Sequence, residues 1–121
     1  MLSLVWMVRD SNDMTSPITT WFDGLAGMII TRAEAVHDYV QIAGKEGIIS
    51  IYNDWNLFPV GTGLSGLLKA RVISAYEKSD ALTFSFDTAA ELIVNMSDAA
   101  WRGPEALQVT RSGLPIVVWR K

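Results

Sequence analysis

The chain of 121 residues predicts a mainly β domain, and three observations carry the prediction: strict alternation of apolar and polar residues, short turns between the alternating runs, and self-similarity between two halves. The expected architecture is two similar three-stranded antiparallel meanders forming a small barrel or sandwich, with a short helix alongside. Half of the residues are hydrophobic and 19% are charged, an ordinary globular composition. The length suits a single domain spanning 1–121.

The first element follows from Leu2, Leu4, Trp6 and Val8, which alternate as a strand does. The same apolar stretch is too short to span a bilayer and meets Arg9-Asp10 at once. It has no basic run before it and no small-residue cleavage site after it, so it does not read as a signal peptide. Next, Ser16-Pro17 predicts the start of a short helix with Ile18, Trp21, Phe22 and Leu25 on one face.

The internal repeat then organises the chain, over about 24–58 and 63–101. Gly24-Leu25-Ala26-Gly27-Met28-Ile29 matches Gly63-Leu64-Ser65-Gly66-Leu67-Leu68. Asp38-Tyr39-Val40-Gln41-Ile42 matches Asp80-Ala81-Leu82-Thr83-Phe84, and Ile48–Asp54 matches Leu92–Asp98. The three matches occur in the same order. In the first copy, Val40 and Ile42 lead through Gly44-Lys45-Glu46-Gly47 into Ile48–Tyr52, a hairpin signal. In the second, Leu82, Phe84 and Phe86 alternate, turn near Asp87-Thr88, and continue as Leu92, Val94 and Met96.

The opening segment of each copy is ambiguous. Leu64, Leu67, Leu68, Val72, Ala75 and Tyr76 also fit a helical stripe, as do Leu25, Met28, Ile29 and Val36. Strands are preferred, because an extended segment feeding a hairpin gives each copy three strands. The alternative is a β-rich α+β fold with helices at 25–38 and 64–78. Gly103-Pro104-Glu105-Ala106-Leu107 predicts another short turn of helix, and Leu114–Trp119 a final strand with Pro115 at its start.

Leu64-x-Gly66, Leu82–Phe86, Glu91–Val94, Pro104-Glu105-Ala106, Ile116–Trp119 and Ile51-Tyr52-x-x-Trp55-x-Leu57 together resemble a group of small bacterial domains of unassigned function. In size and style that group is similar to the immunity-like proteins found beside bacterial toxins. The likeness spans roughly residues 22–119 and rests on core positions and turns. It implies a mainly β or α+β fold and brings no catalytic residue with it.

Composition excludes several chemistries. The chain has no cysteine, so it has no disulfide, thiolate nucleophile or cysteine metal site, in keeping with a reducing compartment and a cytoplasmic protein. The net charge is −3, and its ten Lys and Arg are scattered rather than gathered into the patch that a nucleic-acid binder needs. No stretch is long enough to cross a membrane.

Each candidate site competes with a plainer reading. Gly61-Thr62-Gly63-Leu64-Ser65-Gly66 spells the dinucleotide fingerprint, which requires a preceding strand, a following helix and a later acidic residue. Pro59 interrupts the approach, Asp87 falls in a hairpin turn, and the repeat has no second fingerprint, so these glycines read as bends and no cofactor is expected. His37 is the only histidine, and its neighbour Asp38 points away from it on a strand, so a serine hydrolase is not expected and His37 reads as an exposed turn residue. One histidine and no cysteine cannot make the usual zinc sets, and Lys45 lacks the rest of a phosphate loop.

Asp54 and Asp98 occupy matching repeat positions and could form an acidic pocket, although aspartates equally start turns. Five tryptophans are many for this length; Trp21 and Trp119 read as core. Trp55 and Trp101 follow strands among polar residues, and two readings stand side by side: interface anchors, or plugs for the open ends of a barrel or sandwich.

The expected function is therefore non-catalytic binding of another protein, with Trp55 and Trp101 at or beside the contact. The alternative is a small-molecule enzyme or binder using the acidic pocket. An unpaired edge at Leu2–Val8 or Ile116–Trp119 further predicts a homodimer.

Overall fold

The computed structural model describes the backbone of Val5–Asp10, and in full Phe22, residues 24–114 and 116–120. Among these residues the chain forms β1 (Val5–Asp10), β2 (Arg32–Val36), β3 (Tyr39–Gly44), β4 (Gly47–Ile51), β5 (Trp55–Phe58), β6 (Val72–Lys78), β7 (Ala81–Phe86), β8 (Glu91–Asn95), β9 (Glu105–Arg111) and β10 (Ile116–Arg120). The strands make two sheets, in the orders β1-β10-β9-β4-β3-β2 and β5-β8-β7-β6. Every pairing is antiparallel except that of β1 with β10. The fold is mainly β, a two-sheet sandwich containing the two three-stranded meanders β2-β3-β4 and β6-β7-β8.

Alternation builds the core. Across the larger sheet the register aligns Val40, Ile51, Leu107 and Trp119 in one row, and Ile42, Ile49, Val109 and Val117 in the next. All eight are buried, and Trp119 is fully so. The smaller sheet offers Ala75, Phe84, Leu92 and Leu57 in one row, with Leu82, Val94 and Trp55 in another. β-branched and aromatic residues dominate these rows because they fill a pleated surface that is buried on one side. The two inward faces join in one cluster of buried residues.

The meanders turn alike. His37-Asp38 joins β2 to β3 and Ser79-Asp80 joins β6 to β7, with positive φ of 57° at His37 and 53° at Ser79. His37 is exposed. The Gly44–Gly47 hairpin needs its glycines for a different reason. Neither has positive φ, but a Cβ on Gly44 would meet the Ile29 carbonyl, and one on Gly47 would meet the Thr110 carbonyl. Backbone from outside the hairpin lies against both positions.

Four expectations are corrected. The opening segment of each copy does supply the preferred strand, at Arg32–Val36 and Val72–Lys78, but only in its later part: residues 24–27 form a turn and Leu64–Leu67 a 3-10 turn. The helical spacing of Leu25 with Met28, and of Leu64 with Leu67, spans one turn only. Those two leaders then bond to each other: the Gly27 and Ile30 N–H groups donate to Val72 and Ala70 carbonyls, and the Val72 and Lys69 N–H groups donate back to Met28 and Ile30.

Second, Glu105–Leu107 begins strand β9 rather than a helical turn, and the 3-10 turn of this region lies earlier, at Asp98–Ala100. Third, of the two edges expected, Ile116–Trp119 is interior, because β10 lies between β9 and β1, whereas β1 is the outer strand of the sheet. Fourth, the sheets hold more strands than two meanders and two terminal strands supply: β5 and β9 are additional. The predicted helix from Ser16 lies outside the described residues apart from Phe22, Gly24 and Leu25, and so do Trp21, Pro115 and Leu2–Leu4.

Candidate functional site

The two sheets exchange strands, and the exchange builds the site. After β4 the chain leaves the larger sheet through Tyr52-Asn53-Asp54 and enters the smaller one as β5, paired with β8. After β8 it leaves the smaller sheet through residues 96–104 and enters the larger one as β9, paired with β4. The first crossover bonds to the strands on either side of the second, β8 and β9. The Tyr52 and Asn53 N–H groups donate to the Ala106 carbonyl at 2.8 and 3.1 Å, and the Asn95 N–H donates to the Asp54 carbonyl at 2.8 Å. The buried Asn53 side chain adds a bond from Nδ2 to the Asn95 carbonyl at 2.9 Å.

Asp54 on the first crossover meets Arg102 on the second, and each has a tryptophan as its chain neighbour, Trp55 at the start of β5 and Trp101. Arg102 donates to a single carboxylate oxygen of Asp54, from Nη2 at 2.6 Å and from Nε at 3.0 Å. Trp55 and Trp101 are both half-buried and pack against the core cluster. Trp55 shares the inward row with Val94 and Leu82, and Trp101 Nε1 donates to the Met96 carbonyl at 3.3 Å. The two tryptophans, neighbours in sequence of the ion-paired residues, thus both lean on the core.

Beside the ion pair lies a cleft of about 210 Å³, lined by Asp38, Tyr52, Arg102, Gly103, Pro104 and Glu105. Asp38 comes from the β2–β3 turn, Tyr52 from the first crossover, and the rest from the second crossover and the start of β9. The Tyr52 ring lies 5.3 Å from that of Tyr39, tilted by 41°. Burial pushes the Tyr52 phenol above its ordinary pKa, and the Glu105 carboxylate and Tyr39 add to the rise while a bond with Ser50 opposes it. Neither Asp38 nor Glu105 is in an ion pair among the described residues, whereas the charge of Arg102 is engaged by Asp54.

The predicted acidic pair is divided by this geometry. The Asp54 backbone lies between Asn95 and Ala100, which bracket Asp98 in sequence, yet its carboxylate is held by Arg102. Asp98 heads the 3-10 turn, is exposed, and does not line the cleft. Among the described residues no three His, Asp or Glu side chains gather closely enough to hold a metal ion. The Gly61–Gly66 motif opens the four-residue 3-10 turn and then β6, and the Asp87 carboxylate accepts the Arg71 N–H at 3.0 Å. Asp38, Tyr52, Arg102, Pro104 and Glu105 were not singled out by sequence as site residues, since only the strand exchange brings them together.

Comparison with known protein families, with curated proteins and with solved structures finds no match to this chain. Among the described residues no helix is long and apolar enough to cross a membrane.

Proposed function

We propose that this domain works without catalysis, by binding another protein, and that the crossover cleft receives a basic side chain of that partner. The observation that carries the reading is the lining: two carboxylates without ion-pair partners among the described residues, Asp38 and Glu105, share a cleft with the Tyr52 ring. Carboxylates accept charge-assisted hydrogen bonds from an ammonium or guanidinium group, and an aromatic face attracts the same cation. Half-buried Trp101 directly precedes the lining residue Arg102 in the chain, and aromatic residues commonly anchor contacts. The net charge of −3 favours encounter with a basic partner. The resemblance to immunity-like proteins agrees with a protein as the partner.

The test uses an array of short peptides carrying a central Arg or Lys, each matched by a citrulline or acetyl-lysine version. Binding should follow the charge, weaken with salt, and fall at least tenfold in an Asp38→Asn/Glu105→Gln variant that melts like the parent. Equal binding to charged and neutral peptides, or an unaffected variant, would refute the cleft. Free arginine or a small amine binding as tightly as any peptide would instead favour a small-molecule binder at the same site.

A further inference from the structure

We infer that the open edge of β5 pairs with β5 of a second copy, making a two-fold homodimer with one continuous sheet through both chains. This is independent of the cleft, which contains no β5 residue. The strand exchange itself shows what is missing. β5 and β9 are the two crossing strands, each laid on the last strand of a meander. The far side of β9 is covered by β10, and beyond it β1, but among the described residues the far side of β5 pairs with no strand.

Charge singles out this edge. Edge strand β1 ends in Arg9-Asp10, edge strand β2 carries Arg32 and Glu34, and edge strand β6 has an irregular register near Ile73 and ends in Glu77-Lys78. Charges and bulges of this kind block edge-to-edge pairing. β5 reads Trp-Asn-Leu-Phe and has no charge. At its end two large apolar residues lie open, Phe58, the last residue of the strand, at 52% and Val60 at 95% exposure.

The register follows from the ladder. Asn95 N–H bonds to the Asp54 carbonyl, so Asp54 and Asn56 turn their polar backbone toward β8, and Trp55 and Leu57 turn theirs to the open side. An antiparallel pairing centred on Asn56 sets Trp55 opposite Leu57 of the second copy, each such pair exchanging both of its bonds. Asn56 then faces Asn56 of the second copy, on the outer face of the joined sheet. No like charges meet, and the contact is isologous, so it closes at two chains.

Sedimentation at 10–200 micromolar should give twice the 13.4 kDa of one chain. Asn56→Lys and Asn56→Asp, each placing like charges opposite one another, should separately give monomers with unchanged circular dichroism. Mixing the two variants should restore a dimer, an outcome that loss of folding cannot produce. A wild-type monomer across that range, an Asn56→Lys dimer as stable as wild type, or a mixture that stays monomeric would each overturn the proposal.

Discussion

Arg102 places two donors on one carboxylate oxygen of Asp54, tying the second crossover to the first across the seam between the sheets. The side chains are 60% and 54% exposed, so solvent screens the pair and its contribution to stability is small. A double-mutant cycle with Asp54→Ala and Arg102→Ala should give a coupling energy of about 0.2–1 kcal/mol that shrinks in 0.5 M salt. A coupling above about 2 kcal/mol would mean that the pair holds the crossovers together rather than merely linking them.

Trp55 and Trp101 rest on the core but keep a solvent-facing side, which sets their truncation apart from that of Trp119. Trp119→Ala, in a fully buried site, should cost about 3–5 kcal/mol. Trp55→Ala and Trp101→Ala should each cost about 1–3 kcal/mol, since only part of each ring leaves the core. Trp101→Phe keeps one aromatic ring but removes the indole N–H with its five-membered ring, and should lose about 1–2 kcal/mol, for the bond to the Met96 carbonyl and the smaller contact. Urea denaturation of the four variants measures all of these. A cost at Trp55 or Trp101 equal to that at Trp119 would favour the plug reading over an anchor at a contact surface.

Crowding at the β3–β4 hairpin makes a sharp contrast between two glycines. Gly47→Ala drives a Cβ against the Thr110 carbonyl and should destabilise by about 1–3 kcal/mol. Gly63→Ala meets nothing within 4 Å at a residue of negative φ, so its melting temperature should stay within about 2 °C of wild type. Equal losses at the two positions would contradict the assignment of the Gly47 cost to the close approach of β9, since backbone entropy alone makes Gly→Ala stabilising.

The raised pKa of Tyr52 makes a signed prediction. The folded state favours the protonated phenol, so its stabilising effect is complete below the unfolded value near 10 and fades as the pH rises through the higher folded value. Between pH 9 and 12 the wild type should lose stability more steeply than Tyr52→Phe, which has no phenol to ionise. Parallel slopes in a chemical-denaturation series would remove Tyr52 as the cause.

Much of the fold is legible in the residues because alternation is local. Leu82, Phe84 and Phe86 announce β7, and the Gly44–Gly47 spacing announces the β3–β4 hairpin, without any knowledge of the partner sheet. The crossing strands hide for physical reasons. β5 has only four residues. In β9 the alternation of Leu107 and Val109 ends on Arg111, a buried residue that breaks the apolar pattern, and Gly103-Pro104 before it imitates a helix start. The cleft is harder still. Asp38, Tyr52 and Glu105 come from three parts of the chain, and only the exchange of strands between sheets makes them neighbours. Asp54 and Asp98 look equivalent in sequence, but the first finds Arg102 and the second stands exposed.

The cleft is tested most directly by where a cation lands. In ¹⁵N–¹H spectra, titration with an N-acetylated, C-amidated arginine peptide should shift the amides of Asp38, Tyr52 and residues 102–105 in a saturable manner. The citrulline peptide should leave them in place, and so should the arginine peptide added to the Asp38→Asn/Glu105→Gln variant. Shifts that spread over the whole surface, or that saturate equally with citrulline, would contradict a cleft built to hold a basic side chain.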